Sequence, residues 1–285
     1  MPPAKRIAKA FPARETVEGA GVHLHRAFGH RELPHFDPFL MLDDFRAKRP
    51  EEYLPGFPRH PHRGIETVTY MLEGKIEHRD SLGHRGSVEA GGVQWMTAGS
   101  GIIHQEMPKP VNGRMGGFQL WVNLPRSHKM IDPRYQEVPA SGIPIVSPEE
   151  GAKIRIICGT MDEVFGPVQD IVGYPEFFDV TLGPDVPFSH EVKAEHTAAA
   201  YVIAGSGNFD LLQEKELANR TMVLFGQEGR RVHIIAGSGG VRFLYLSGMP
   251  LRDPVAWKGP IAMNTEDELR QAFAEYRNGT FVRKH

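Results

Sequence analysis

A chain of 285 residues, 40% hydrophobic and 24% charged, has enough apolar content for one large core or two of ordinary size, which excludes an intrinsically disordered protein. Its 33 basic and 35 acidic residues leave a formal charge of -2, so the whole chain carries no electrostatic footprint for nucleic acid or an anionic membrane. Cys158 is the single cysteine, which excludes an intrachain disulfide and thiolate metal clusters, so any bound metal must use histidines and carboxylates.

Glycine (31) and proline (23) make up about a fifth of the chain, against an average near 12%, so turns are frequent. Between the turns lie runs of strand length, each bounded by Gly, Pro, Asp or Asn: Thr67 to Leu72, Gly117 to Val122, Lys153 to Ile157, Phe177 to Leu182, Ala199 to Ile203, Arg231 to Ile235 and Val241 to Leu246. That pattern predicts an all-β sandwich or barrel. Pro148 and Gly151 leave the stretch around Glu149 and Glu150 open to either a short helix or a turn. One helix is expected over about 265 to 278, where Thr265 and Glu268 have capping-box spacing, Leu269, Ala272, Phe273 and Tyr276 share a face, and Gly279 can end it. No apolar stretch approaches the roughly 20 residues of a membrane span, and Lys5, Arg6 and Lys9 interrupt any signal-like core near the N-terminus. A cytoplasmic protein that crosses no membrane is expected.

The chain repeats itself. Ala98-Gly-Ser-Gly101 recurs as Ala204-Gly-Ser-Gly207 and Ala236-Gly-Ser-Gly239, each time beside a strand-like run. An offset of 138 aligns Ala98–Glu106 with Ala236–Leu244, and an offset of 131 aligns Thr67–Gly74 with Ala198–Gly205. Two similar β domains of roughly 130 residues follow, joined near Pro139 to Pro148. The boundaries expected are 1–138, a linker over 139–148, and 149–285 carrying the helix.

On a strand, residues two apart share a face, with Cα atoms about 6.5 to 7 Å apart, so such a pair can grip one ion. His60 and His62 have this spacing, and so do His104 and Glu106 after the Gly99-Ser-Gly101 turn. If the two strands face each other in a barrel, three imidazoles and a carboxylate converge, a set suited to Fe, Mn, Ni, Cu or Zn that leaves up to two positions open on an octahedral ion. With 14 histidines, about 0.7 His-x-His pairs arise by chance, so context must carry the assignment. His23 and His25 form a second pair without partners and are read as structural or solvated.

The context is a family resemblance. The segment Gly56-Phe-Pro-Arg-His60-Pro-His62-Arg-Gly-Ile-Glu66-Thr-Val-Thr-Tyr-Met-Leu-Glu-Gly74 resembles the first cupin motif in its pirin form, and Gly92-Val-Gln-Trp-Met-Thr-Ala-Gly-Ser-Gly-Ile-Ile-His104-Gln-Glu106 resembles the second. Asp37–Phe45 and the tail from Gly259 through Asn264 also resemble pirin segments, so the likeness runs almost end to end. It implies two tandem cupin domains, each a jelly-roll-type β-barrel, with His60, His62, His104 and Glu106 as ligands of one divalent metal, usually Fe2+. Many cupins ligate through the residue here at Glu66, which is kept as a reserve ligand. Gly99, where many cupins carry Pro, and the lack of Asn four residues after His104 depart from the general motif; the pirin form tolerates both.

The repeat offsets map the ligands onto Glu191, Lys193, Arg242 and Leu244, so the C-terminal cupin-like domain is expected to hold no metal. His190 and His196 are expected to be exposed or hydrogen-bonded instead. Pirins are similar to flavonol dioxygenases, and some cleave quercetin with O2, so the resemblance implies a flavonol-like substrate. Glu106 is the expected acceptor of the flavonol proton, and Phe57, Trp95, Met96 and Phe118 are pocket candidates, each read first as plain core. The resemblance also implies an alternative role, an iron-dependent redox-sensing regulator that binds a transcription factor or metabolic enzyme, with Arg59 to Arg63 carrying the change to the surface. A purely structural metal is the third reading. A monomer without direct nucleic-acid binding is expected.

Overall fold

The computed structural model describes residues 3–29, 33, 36–213 and 215–283. Every run singled out above lies in a strand, and among the described residues no helix is long and apolar enough to cross a membrane. The runs at 231–235 and 241–246 belong to one strand, Arg231–Gly248, 18 residues long. Its first part pairs with Pro187–Glu191 and its second with Glu176–Leu182, and the glycines between them let one strand bend to serve both ladders. The Ala-Gly-Ser-Gly copies therefore mark different structures. The first is a turn between Val93–Thr97 and Ile102–Lys109, whereas the other two lie inside paired strands, Gly207 opposite Ala236. Glu149 and Glu150 form a turn leading into Ala152–Cys158.

The chain divides into two compact units, one of residues 15–140 and 251–285, the other of 1–14 and 141–250. The division near 140 falls inside the expected linker, but both chain ends differ from the expected 1–138 and 149–285 boundaries. Strand Ile7–Pro12 pairs with Thr221–Phe225, placing Ala10 opposite Val223, and so joins the second unit. The helix, Glu266–Arg277, belongs to the first. Thr265 caps it and Glu268 completes the box, accepting from the Thr265 N–H at 3.0 Å, while Gly279 beyond its end takes φ 75°. Its buried Leu269 and Ala272 pack with Ala256, Ile261 and Met263, and Ile103 and Met130 lie against this cluster. An amphipathic face declares that it needs a partner, but not which part of the chain supplies it.

Within the first unit, a seven-stranded sheet runs in the order Arg134–Val138, Val93–Thr97, Ile65–Glu73, Gly116–Asn123, Phe39–Asp44, Val22–Phe28, Arg14–Glu18. A four-stranded sheet runs Phe57–His62, Ile102–Lys109, Lys75–Asp80, Arg85–Glu89. Leu24, Met71, Ile76 and Val88 from the two sheets share one core, the pattern of a β-barrel closed by two faces. The second unit carries its own core, including Ile154, Phe178, Val202, Phe243 and Tyr245.

Two buried cations tie the C-terminal segment into the first unit. Lys129 donates to the carbonyls of Gly64 and Ala262 at 2.8 Å each and to Asn123 Oδ1, and burial pulls its ammonium down to about 7. Arg63 is 2% exposed, donates to Ser100 O, Phe281 O and Glu275, and lies over the Phe281 ring. A Lys129→Met variant strands these acceptors, so its urea midpoint should report a loss of about 2–4 kcal/mol; a change below about 0.5 kcal/mol would show the staple contributes nothing.

Candidate metal centre

The antiparallel register sets His60 directly opposite His104, and Ile102 opposite His62. All three imidazoles converge: His60 Nε2 lies 2.9 Å from His62 Nε2 and 3.1 Å from His104 Nε2, and one ligand atom from each ring falls within 4.8 Å of the others. His60 Nδ1 is 2.8 Å from Pro58 O and His62 Nδ1 is 3.1 Å from Pro260 O. Carbonyls only accept, so both Nδ1 atoms carry the hydrogen and both Nε2 atoms present bare lone pairs to one another. Two lone pairs at this separation repel unless a cation lies between them. Ring nitrogens about 2.1 Å from one shared ion stand about 3 Å apart, as these two edges do. The donor set therefore fits a divalent transition ion.

Burial holds the imidazoles of His62 and His104 well below the ordinary histidine range, with the neighbouring histidines adding to the effect. Both are neutral, ligand-competent rings at neutral pH. Because the folded value lies below the unfolded value of about 6.5, the stability they contribute is complete above that pH and is lost as pH falls. Metal-free wild type taken from about pH 7.5 to about pH 5.5 should lose about 1 kcal/mol more than metal-free His62→Gln, since buried carboxylates with opposite shifts cancel in the comparison. Equal losses in the two proteins would refute it.

Glu106 lies on the same strand as His104, 3% exposed, and falls outside the cluster of three ring nitrogens. A register shift separates the two residues. Thr69 Oγ1 donates to Glu106 Oε1 at 2.9 Å, and Gln119 Nε2 donates to Thr69 Oγ1 at 2.8 Å. Burial pushes the carboxyl up, opposed by His60 and by the Thr69 hydrogen bond. Glu66 points to the other face of its strand, with Val68, and accepts from Trp95 Nε1 (3.0 Å) and Thr97 Oγ1 (2.7 Å). The strand's two-residue period thus separates it from the histidines.

His78 escaped the sequence reading. Its strand places it opposite Glu106, where it is buried, bonded through Nε2 to Glu137 and stacked on Tyr135. A Cβ on Gly86 would meet His78 Nε2 at 2.4 Å, so glycine leaves room for this ring. The signal was local: His78 and Asp80 alternate on a strand that follows the Glu73-Gly74 turn.

A cavity of about 700 Å³ opens beside the histidines, lined among others by His60, Arg59, Phe57, Trp121, Trp257 and Pro260. Of the four pocket candidates only Phe57 lines it. Trp95 and Phe118 share the face of Val68 and Tyr70, turned from the barrel interior, and Met96 is buried with Leu40, Ile65 and Ile102. Within the segment from Arg59 to Arg63, Arg59 is exposed, whereas Arg63 is buried and paired with Glu275. His25 lies 3.6 Å from Glu15, apart from the three-histidine cluster.

In the second unit the positions mapped from the ligands serve structure. Lys193 pairs with Glu176 (3.2 Å), Arg242 with Asp179 (2.6 Å), Leu244 is buried, and Glu191 is exposed. His190 bonds Glu176 at 3.0 Å and His196 bonds Ser247 at 3.1 Å. Among the described residues the one candidate metal cluster is that of His60, His62 and His104.

Fold and site together define a bicupin protein with a three-histidine centre positioned for a metal ion in one of its two units. The Pirin family model matches residues 21–122, and the model of the Pirin C-terminal cupin domain matches 177–282. The chain belongs to the pirin family. It is 38% identical to human pirin over 98% of its own length and 94% of that protein's. It is 41% identical, over 93% and 94% of the two lengths, to a Pseudomonas aeruginosa protein whose name provisionally assigns it quercetin 2,3-dioxygenase activity. Among solved structures it matches a quercetin 2,3-dioxygenase of Acinetobacter baumannii with TM-score 0.89 and 30% identity, over 98% of this chain and 99% of that one.

Proposed function

We propose that the chain holds one divalent transition metal, iron first among the candidates, on His60, His62, His104 and Glu106, and cleaves a flavonol-like substrate with O2. The observation that carries this reading is the meeting of bare imidazole nitrogens with an aromatic-lined cavity of about 700 Å³. A bound metal of this kind supplies Lewis acidity toward vicinal substrate oxygens and reactivity toward O2.

The protein's own groups do the rest. The rings of Phe57, Trp121 and Trp257 offer faces and edges to a flat aromatic molecule and keep water from its reacting side. Glu106, raised by burial yet fixed at Oε1 by Thr69, accepts the hydroxyl proton of the flavonol. The likeness to proteins named as quercetin 2,3-dioxygenases supports the substrate class.

The test is O2 uptake and carbon monoxide release by iron-loaded protein given quercetin. Glu106→Gln is expected to retain some metal on the three histidines while turnover of the metal-loaded form falls about 10²-fold or more; undiminished turnover by a metal-loaded variant would remove Glu106 from this role. No turnover by wild type, with capture of a protein partner that depends on the iron's oxidation state, would move the assignment to a redox-sensing regulator.

A further inference from the structure

A polar row crosses the interior face of the seven-stranded sheet. Paired positions place Gln94, Thr69, Gln119, Asp43 and Arg26 side by side on five neighbouring strands. Thr69 ends the row's inner half by bonding Glu106, but the outer half serves no part of the reaction described above. Arg26 and Asp43 lie three and two strands from Thr69, about 14 Å and 10 Å at the usual strand spacing. Both line the cavity that also touches His60, and so do Leu24, Met41, Gln119 and Trp121, the alternate residues of the same three strands.

Arg26 donates through Nε to Asp43 Oδ1 (2.8 Å), through Nη2 to Asp43 Oδ2 (2.7 Å) and through Nη1 to Glu18 Oε1 (2.9 Å). A guanidinium has five N–H groups and each carboxylate about four lone-pair positions, so the triad keeps both donors and acceptors to spare. Asp43 is 3% exposed, and burial pushes its carboxyl up to about 6 even with Arg26 bonded, so further donors would favour its ionised form. One cation against two carboxylates makes this arm net negative, which disfavours a ligand ending in a carboxylate or phosphate. A neutral group that both donates and accepts suits it, and adjacent aromatic hydroxyls do both.

We propose that Arg26, Asp43 and Glu18 form a subsite for a ring bearing two adjacent hydroxyls, selecting catechol-bearing substrates at the end of the cavity remote from the histidines. This rests on the flavonol reading of the site. A metal held by the histidines would engage the hydroxyl and carbonyl of the fused rings, common to all flavonols, whereas this arm reads the pendant ring, where flavonols differ.

The experiment is anaerobic titration of the metal-loaded protein, followed by tryptophan fluorescence, with quercetin and with galangin, the flavonol lacking hydroxyls on its pendant ring. Wild type should bind quercetin about tenfold or more tighter, the scale of one or two added hydrogen bonds. Glu18→Gln, at a half-exposed position, and Arg26→Lys should each cut that preference to about threefold or less while leaving galangin binding unchanged. Equal affinity of wild type for the two flavonols, or equal losses for both in the folded variants, overturns the subsite and leaves the flavonol reading standing. Binding of neither flavonol overturns both.

Discussion

His104→Gln is expected to lose metal by more than about 100-fold in affinity, since removal of an outer hydrogen-bonding partner alone costs about 10–100-fold and this change removes a ligand atom. His104 sits 3.1 Å from the shared corner at His60 Nε2 and is 1% exposed, so its loss takes one of the three converging ring nitrogens out of a buried site. The variant should fold. His104 Nδ1 is buried without a partner among the described residues, and its ring is held neutral at a cost that the amide avoids. Elemental analysis after dialysis against a chelator checks the metal, and a melting curve of the metal-free forms checks the fold. Full metal occupancy in a folded His104→Gln protein would break the proposed centre.

Thr69→Val should produce a different split. Valine matches threonine in shape and removes only the hydroxyl that bridges Gln119 to Glu106, so the three imidazoles keep their geometry. Metal occupancy should stay within about tenfold of wild type, while turnover should fall about 10–100-fold because the carboxylate loses the donor that fixes Oε1. Stability should drop by about 1–3 kcal/mol, the cost of leaving buried polar groups unpaired. Thr69→Ser should restore most of the turnover, which a merely packing role would not explain. Wild-type turnover by Thr69→Val would show that Glu106 needs no such support, and loss of metal in step with activity would make Thr69 a prop of the centre rather than of the carboxylate.

The histidines were legible because their signals are local: an i, i+2 pair after Gly56-Phe-Pro, a glycine turn, then His104, all within strands that the turn spacing already marked. The strand runs and the capped helix were legible for the same reason, since alternation and capping are properties of a few neighbouring residues. Even so, local chemistry misled at the Ala-Gly-Ser-Gly copies, because glycine serves a turn at 98–101 and a bend or bulge inside paired strands at 204–207 and 236–239. The repeat itself had no way to tell these apart.

What the order of residues determined by itself was the kind of element at each place and the donors that could meet a metal. What only the tertiary structure decided was which surfaces those elements found: the N-terminal strand on Thr221–Phe225, the C-terminal helix on Ile261 and Met263, and Pro260 O, far along the chain, fixing the tautomer of His62. Register made the remaining distinction, turning Glu66 away from the histidines and bringing His78, Thr69, Gln119, Asp43 and Arg26 to the interior. Pairing between strands is a long-range choice with a two-residue period, so a shift of one residue would exchange every inward side chain for an outward one, and no short window of sequence contains that choice.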